Sequence, residues 1–214
     1  MDLRFLEVLL PMMLSGLRLT LVISLAGIAL GTVIGSLCGY LLQSGLKVGK
    51  AAAEIYIWII RATPLMVQAL YGYYVIPRLL GVELDSTTVG ILVIALNSGA
   101  FISEIVRGAL TSVEAGQKEA GKSLGLTRAQ TMLHIVIPPA FRIALPALFN
   151  QFIISVKDTA LLSVIAVNEV THQAQAYAAL SFQAIPTYTA LAVFYLVILS
   201  VLIVIQKGVE KKMR

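Results

Sequence analysis

Residues 19–46 read LTLVISLAGIALGTVIGSLCGYLLQSGL, and no charged side chain interrupts them. An apolar run longer than about 18 residues can cross the ~30 Å hydrocarbon core of a bilayer as a helix. Two further uncharged runs, Ser86 to Ser103 and Val170 to Gln206, repeat the pattern. The whole chain agrees: 58% of its 214 residues are hydrophobic and 13% charged, with a mean hydropathy of +0.90. That is more apolar surface than a soluble core can use, so the surplus needs lipid. The net charge of +5 does not point to nucleic acid, because the Lys and Arg residues sit at the ends of apolar runs and not on an aromatic-interleaved face. Cys38 stands alone, which excludes an intrachain disulfide and a Cys-based metal site and leaves a packing role. The first apolar run is far longer than the h-region of a secretion signal and has no small-residue cleavage site after it, so it reads as a retained helix.

Working outward gives a single membrane domain, residues 1–214, of all-α polytopic class with five transmembrane helices. They are expected at about Leu10 to Leu42, Ala52 to Ile76, Thr87 to Leu110, Pro139 to Val156 with a broken continuation to Val167, and Tyr188 to Gln206. Lys47, Lys50, Lys118, Lys122, Arg128, Lys207, Lys211, Lys212 and Arg214 fall in the first loop, the third loop and the tail. The other two loops carry Arg78 against Glu83, Asp85 and Glu169. By the positive-inside bias the first group is cytoplasmic and the N-terminus lies outside, as an odd number of spans requires.

The third loop, about residues 111–138, is too structured for a mere connector. Thr111-Ser112-Val113-Glu114 and Thr127-Arg128-Ala129-Gln130 both fit the capping box, a hydroxyl at the N-cap with Glu or Gln three positions on. Gly125 fits the left-handed residue that closes a helix. The expectation is a helix from about Val113 to Leu124, a turn, and a second helix from about Arg128. Small residues Ala120 and Gly121 beside Glu119 would let a partner's backbone approach a carboxylate, the chemistry of a docking surface.

Glu119-Ala120-Gly121, then Gly125, then Ile135-Val136-Ile137-Pro138 resembles the EAA loop of importer permeases of the ATP-binding-cassette class. Gly121 stands where Ala is commoner and Ile137 where Leu is. Arg61-Ala62-Thr63-Pro64-Leu65, Asn97-Ser98-Gly99-Ala100 with Glu104 and Arg107, Gly116-Gln117 and Lys157-Asp158-Thr159-Ala160-Leu161 are similar to strings of the polar amino-acid subfamily, for histidine, glutamate, glutamine, arginine and opines. The resemblance implies a type I ABC importer permease of MetI-like fold in a bacterial cytoplasmic (inner) membrane. It implies a second permease subunit, identical or similar, two copies of an ATPase, and a periplasmic amino-acid-binding protein as partners. It also implies that Glu119, Ala120, Gly121, Gly125, Ile135 and Pro138 form the ATPase-coupling surface. No G-x-x-x-x-G-K-[ST] string occurs, so ATP and Mg would be bound by the partner ATPase and no cofactor by this chain.

Polar groups inside a membrane are costly enough to be functional candidates. Gln68, Asn97, Ser98, Asn150 and Gln151 are the candidate substrate path; the plainer role for each is gluing helices, at about 0.6 kcal/mol per bond. Lys157 and Asp158, adjacent on a helix, point apart and each needs its own partner, as a gate, as a ligand for substrate charge or in an interhelical ion pair, with structure and gating favoured over direct ligation. Glu104 and Arg107, spaced i, i+3, fit an ion pair on one helix face, and Arg61 reads as snorkelling toward the cytosolic headgroups. Trp58, Tyr71, Tyr73 and Tyr74 fit interfacial belts. His134 and His172, on opposite sides of the membrane, cannot share a metal. No H-E-x-x-H or G-x-S-x-G string marks a hydrolase. An ion-coupled secondary transporter or channel subunit is the alternative reading, weakened by the absence of an internal repeat.

Overall fold

The computed structural model describes residues 4–213. Arg214 and the side chains of Lys122 and Lys212, counted above in the charge bias, lie outside the described residues. The chain runs as α1 (Phe5–Gln43), α2 (Lys47–Ala62), α3 (Leu65–Leu70), α4 (Ile76–Leu80), α5 (Ser86–Ser112), α6 (Ala115–Ser123), α7 (Arg128–Thr131), α8 (Ile137–Asp158), α9 (Val170–Ser181) and α10 (Ala184–Met213). No strand occurs among the described residues.

Four stretches are long and apolar enough to span a membrane: Phe5–Gln43, Ser86–Ser112, Arg128–Ile165 and Ala184–Lys211. The remaining expected span is jointed. α2 stops at Ala62 because Thr63 precedes a proline and is driven to extended backbone (φ −115°, ψ 137°). α3 follows Pro64, and a π-helical turn at Tyr71–Val75 joins it to α4. A second π-helical turn, Met132–Val136, joins α7 to α8. Both turns end one residue before an Ile-Pro step, Ile76-Pro77 and Ile137-Pro138. Proline lacks an N–H, and its ring crowds the carbonyl four residues back, here Tyr73 and His134; widening the helix locally relieves both faults. The fourth span therefore begins at Arg128, not at Pro139, and the loop's second helix is its first turn.

The molecule is organised on the seam between α1 and α5. Gly27, Gly31, Gly35 and Gly39 recur every fourth residue of α1 and face α5. A Cβ on Gly31, Gly35 or Gly39 would stand 2.9, 2.7 or 2.8 Å from the carbonyl oxygens of Ala95, Gly99 and Ser103. The two backbones touch because no side chain holds them apart, which is how helices associate where lipid removes the hydrophobic drive. At the loop end, the Gln43 amide donates to the Arg107 carbonyl and to Thr111 Oγ1, both at 2.9 Å.

That contact corrects one expectation. Thr111 is no helix start: it lies in the last turn of α5, where its hydroxyl donates back to the Arg107 carbonyl at 2.7 Å. At the other end Asp85 caps α5 by accepting from the Thr87 and Thr88 N–H groups at 2.9 and 3.0 Å. The Thr88 hydroxyl also donates to this carboxylate, and that bond first, with the two N–H groups, holds the carboxyl below the usual carboxylate range.

A buried cluster of Ile23, Ala69, Val89, Ile94, Leu162, Ile165 and Val167 ties α1, α3 and α5 to the 3₁₀ turn Thr159–Ile165 that ends the fourth span. α9 packs on the first half of α1 through Leu9, Met13, Val170 and Ala174. By contrast, Leu196, Val197, Val201 and Val204 of α10 are exposed, the apolar outer face that a bilayer covers.

Candidate functional site

The third loop folds as a helix, a turn and a helix. α6 ends at Ser123, and Gly125 adopts φ +75°, a conformation that costs an L-residue with a side chain roughly 1–2 kcal/mol. The Leu126 N–H then closes back on the Gly121 carbonyl at 3.1 Å. Thr127 caps α7 in a full capping box: its N–H donates to Gln130 Oε1 at 2.9 Å, and its hydroxyl accepts from the Gln130 N–H at 3.3 Å.

Glu119 and Ala120 are exposed, and so is Pro138; Ile135 is half-buried. Gly121 is different. It is buried, and a Cβ there would lie 2.8 Å from Thr131 Cγ2 and 2.9 Å from Ile135 Cδ1. Its lack of a side chain serves the packing of α6 on its own loop and not the approach of a partner, which corrects the sequence-based expectation. Only Glu119 and Ala120 of that triplet face outward.

Two neighbouring hollows share Arg61, one between α2 and α5 and one between α2, α5 and α8. The inner one, about 260 Å³, is lined by Arg61, Thr63, Asn97, Phe101, Gln151 and Asp158 among others. Candidates Asn97 and Gln151 thus meet there, together with Asp158 and Arg61. Gln68 reaches Asn97 at 3.4 Å, but its amide nitrogen is spent on the helix break, donating to the Ile60 and Thr63 carbonyls at 2.8 and 3.0 Å. Ser98 is buried and bonded to Ser155 at 3.0 Å, the helix-gluing role. Asn150 is exposed on another face of α8 and lines neither hollow.

The charged residues divide similarly. Lys157 is exposed while Asp158 turns into the inner hollow, and among the described residues neither forms an ion pair within 4.0 Å. The interhelical pairs considered for them are not formed. Arg107 and Glu104 do pair, with Nε and Nη2 donating to one carboxylate oxygen at 2.9 and 2.6 Å. Arg61 places its guanidinium 5.6 Å from the centroid of the Phe101 ring and lines the inner hollow. Among the described residues no three His, Cys, Asp or Glu side chains gather as a metal site.

The sequence offers Glu169 only as a loop charge, whereas it is fully buried. Its carboxylate caps α9, accepting from the Thr171 and His172 N–H groups at 2.8 and 2.7 Å and from Tyr195 Oη at 3.3 Å. Burial raises its pKa, opposed by those three donors. Its capping role becomes legible only once α9 is seen to start at Val170. The α1 glycine stripe, passed over in the sequence reading, was visible in the spacing of four.

Over residues 31–214 the chain matches the family described as binding-protein-dependent transport system inner membrane component. It belongs to that family, the permease subunits of ATP-binding-cassette importers, which are transporters and not enzymes and carry no cofactor of their own. The chain is similar to the glutamine transport system permease protein GlnP of Escherichia coli (strain K12), 42% identical over 205 residues that cover 95% of this chain and 94% of that one. It is 30% identical to the arginine transport system permease protein ArtQ of Bacillus subtilis (strain 168), over 95% and 93% of the two chains. Among solved structures, an amino acid ABC transporter crystallised with histidines superposes with a TM-score of 0.91 at 32% identity, covering 99% of each chain. The inward-facing MetNI methionine ABC transporter, at 17% identity, shares the fold with a TM-score of 0.82 over 97% of this chain and 99% of that one. The chain has the all-α MetI-like permease fold of a multi-pass inner-membrane protein.

Proposed function

We propose that this chain forms half of the pore of an ATP-driven importer for polar amino acids of the glutamine, arginine, histidine and glutamate class. The observation that carries the reading is the inner hollow, where a cation, a carboxylate and two amides converge in about 260 Å³. A zwitterion needs that set: Arg61 for its carboxylate, Asp158 for its ammonium, and Asn97 and Gln151 for a polar side chain. The relatives named for glutamine and arginine transport support the same class.

On this reading a second permease subunit, identical or similar, completes the pore. A periplasmic binding protein delivers substrate, and two ATPase subunits bind ATP and Mg. The loop of α6 and α7 lies in the cytosol with the C-terminus, the N-terminus lies outside, and Glu119, Ala120 and Gly125 with Ile135 and Pro138 make the coupling surface. Lys157 and Asp158 lie toward the outer side, Glu104 and Arg107 toward the cytosol.

The test is reconstitution with the ATPase and binding protein, scored as substrate-stimulated ATP hydrolysis over a panel of amino acids. Glu119→Lys reverses the exposed charge, and Gly125→Leu forces a branched residue to φ +75°. Each is expected to abolish transport and stimulated hydrolysis while expression stays intact. Full coupling in either variant, or transport that persists without ATP and follows an ion gradient, would sink the assignment.

A further inference from the structure

The second hollow is a cleft of about 670 Å³ between α2 and α5, nearer the α6–α7 loop, and its lining includes Lys50, Glu54, Trp58, Arg61, Glu104 and Arg107. It falls in the range of about 300–1,000 Å³ typical of small-molecule sites. Arg61 lines this cleft and the inner hollow alike. It has no ion-pair partner among the described residues, and its guanidinium rests over Phe101. One cation without an ion-pair partner therefore stands on the wall between two polar spaces.

We infer that the cleft is a second, loop-side subsite for a zwitterionic amino acid, entered from the inner hollow past Arg61. The inference rests on the proposed amino-acid function. Charge composition selects the ligand. A lone anion in the cleft would face Glu54 and Glu104, and a lone cation would face Lys50, Arg61 and Arg107. A molecule with both signs a few ångströms apart meets each with its complement. An anionic lipid headgroup, otherwise attractive beside Trp58 and three cations, is disfavoured by the two carboxylates.

The cleft's internal pairing leaves room for such exchange. Lys50 and Glu54 stand 3.7 Å apart with about half of each side chain exposed (51% and 56%), a loose pair that a ligand can replace. Glu104 and Arg107 are held tightly to each other and present a fixed dipole. As Arg61 leaves the inner hollow with a carboxylate bound, it moves toward these groups, and the ammonium gains Glu54. Substrate leaving the inner hollow then dwells in the cleft before release, so amino acid accumulated on the loop side can refill it.

The chain has a single tryptophan, Trp58, and it lines the cleft. In the complex of this chain with its own ATPase, in phosphatidylcholine nanodiscs and labelled with 5-fluorotryptophan, the fluorine resonance lost in Trp58→Phe reports on the cleft. Titration with L-glutamine, or with L-arginine or L-histidine, is expected to shift that resonance saturably. Acetate and ethylammonium, with one charge each, should leave it in place. Lys50→Met and Glu54→Gln, both exposed and outside the packed core, should each raise the half-saturating concentration about ten-fold, the loss of one charge-assisted contact, whereas Asp158→Asn should not. A resonance that no amino acid moves, a midpoint unaffected by either cleft variant, or a shift produced by phosphatidylglycerol and not by amino acid would each overturn the subsite. Binding-protein-stimulated ATP hydrolysis on the same complex separates the two readings. If it responds to an amino acid while Trp58 is silent, only the subsite falls; if no amino acid stimulates it, the amino-acid function falls first.

Discussion

Gly121→Ala places one methyl group where α6 meets the start of the fourth span. Its Cβ would lie 2.8 Å from Thr131 Cγ2 and 2.9 Å from both Thr131 Oγ1 and Ile135 Cδ1, about half an ångström inside ordinary contact at 3.4 Å. Thr131 is buried and β-branched, so its χ1 cannot swing away cheaply inside a helix. The overpacking should cost about 1–3 kcal/mol, the range for methylenes forced into filled space, which raises the local opening of α6 roughly 5- to 150-fold. Thr131→Ala on its own should be nearly neutral. It removes a methyl group, but also a hydroxyl that is buried with no hydrogen-bond partner, whose burial costs about 1–3 kcal/mol. The double variant should return to within about 0.5 kcal/mol of wild type, and the difference is a coupling energy of the size seen between touching residues. Amide hydrogen exchange over residues 115–126 in the purified complex reads this opening directly. Exchange in Gly121→Ala that matches wild type, or that Thr131→Ala fails to restore, refutes the argument that this glycine serves intramolecular packing.

Gly35→Leu should destabilise the α1–α5 seam by more than about 2 kcal/mol, since even its Cβ would sit 2.7 Å from the Gly99 carbonyl oxygen and from Ile102 Cβ. Gly108→Ala on α5, with nothing within 4 Å, should be neutral or stabilising by up to about 1 kcal/mol; equal midpoints for the two in detergent unfolding would contradict the seam. Glu169 has a folded pKa raised above its ordinary 4.5 by burial, so the stability it contributes is complete below that value and is lost as pH rises through the folded pKa. Glu169→Gln keeps one acceptor for the cap and cannot ionise. Thermal unfolding should show wild type ahead at acidic pH and the gap narrowing toward neutrality; parallel curves would mean the buried carboxylate does not titrate in the fold.

The apolar runs revealed three crossings to within a few residues, because an uncharged stretch of that length has few alternatives to a spanning helix. The jointed second crossing was harder. Lys50, Glu54 and Arg61 make α2 polar, and only Pro64 announces where it stops. Identical capping patterns at Thr111 and Thr127 had different outcomes, and the reason is tertiary: Gln43 of α1 staples the end of α5 at Thr111, and that helix runs on to Ser112. Asn150 and Gln151 were indistinguishable as neighbours in sequence. The rotation of α8 decides that Gln151 enters the inner hollow and Asn150 leaves it. Ser98 and Asn97 separated for the same reason on α5. Glycines at every fourth position name a close-packed helix face without naming its partner, which requires the fold.

The candidate groups are unevenly distributed between stiff and jointed parts. α1 and α5 touch backbone to backbone along the glycine stripe, so neither can slide without separating the seam; α5 offers Asn97, Phe101 and Glu104 from a fixed wall. Arg61 stands three residues before Pro64, and Gln151 and Asp158 ride on a span with a π-helical turn, Met132–Val136, near its start. That turn is where Ile135 packs beneath Gly121 of α6. A push on the exposed Glu119 face thus has a continuous covalent and packed path, α6 to the turn to α8, ending at Asp158. The opposite wall also packs on this span, with Ala109, Leu110 and Val113 of α5 against Val136, Ala140 and Ala144, but its backbone-to-backbone seam with α1 resists displacement. On the proposed function this asymmetry makes the width of the inner hollow, set between Asp158 on the moving side and Asn97 on the fixed side, the quantity that loop displacement changes. π-Helical turns suit such a joint, since a widened turn can shift its register without breaking the helix on either side.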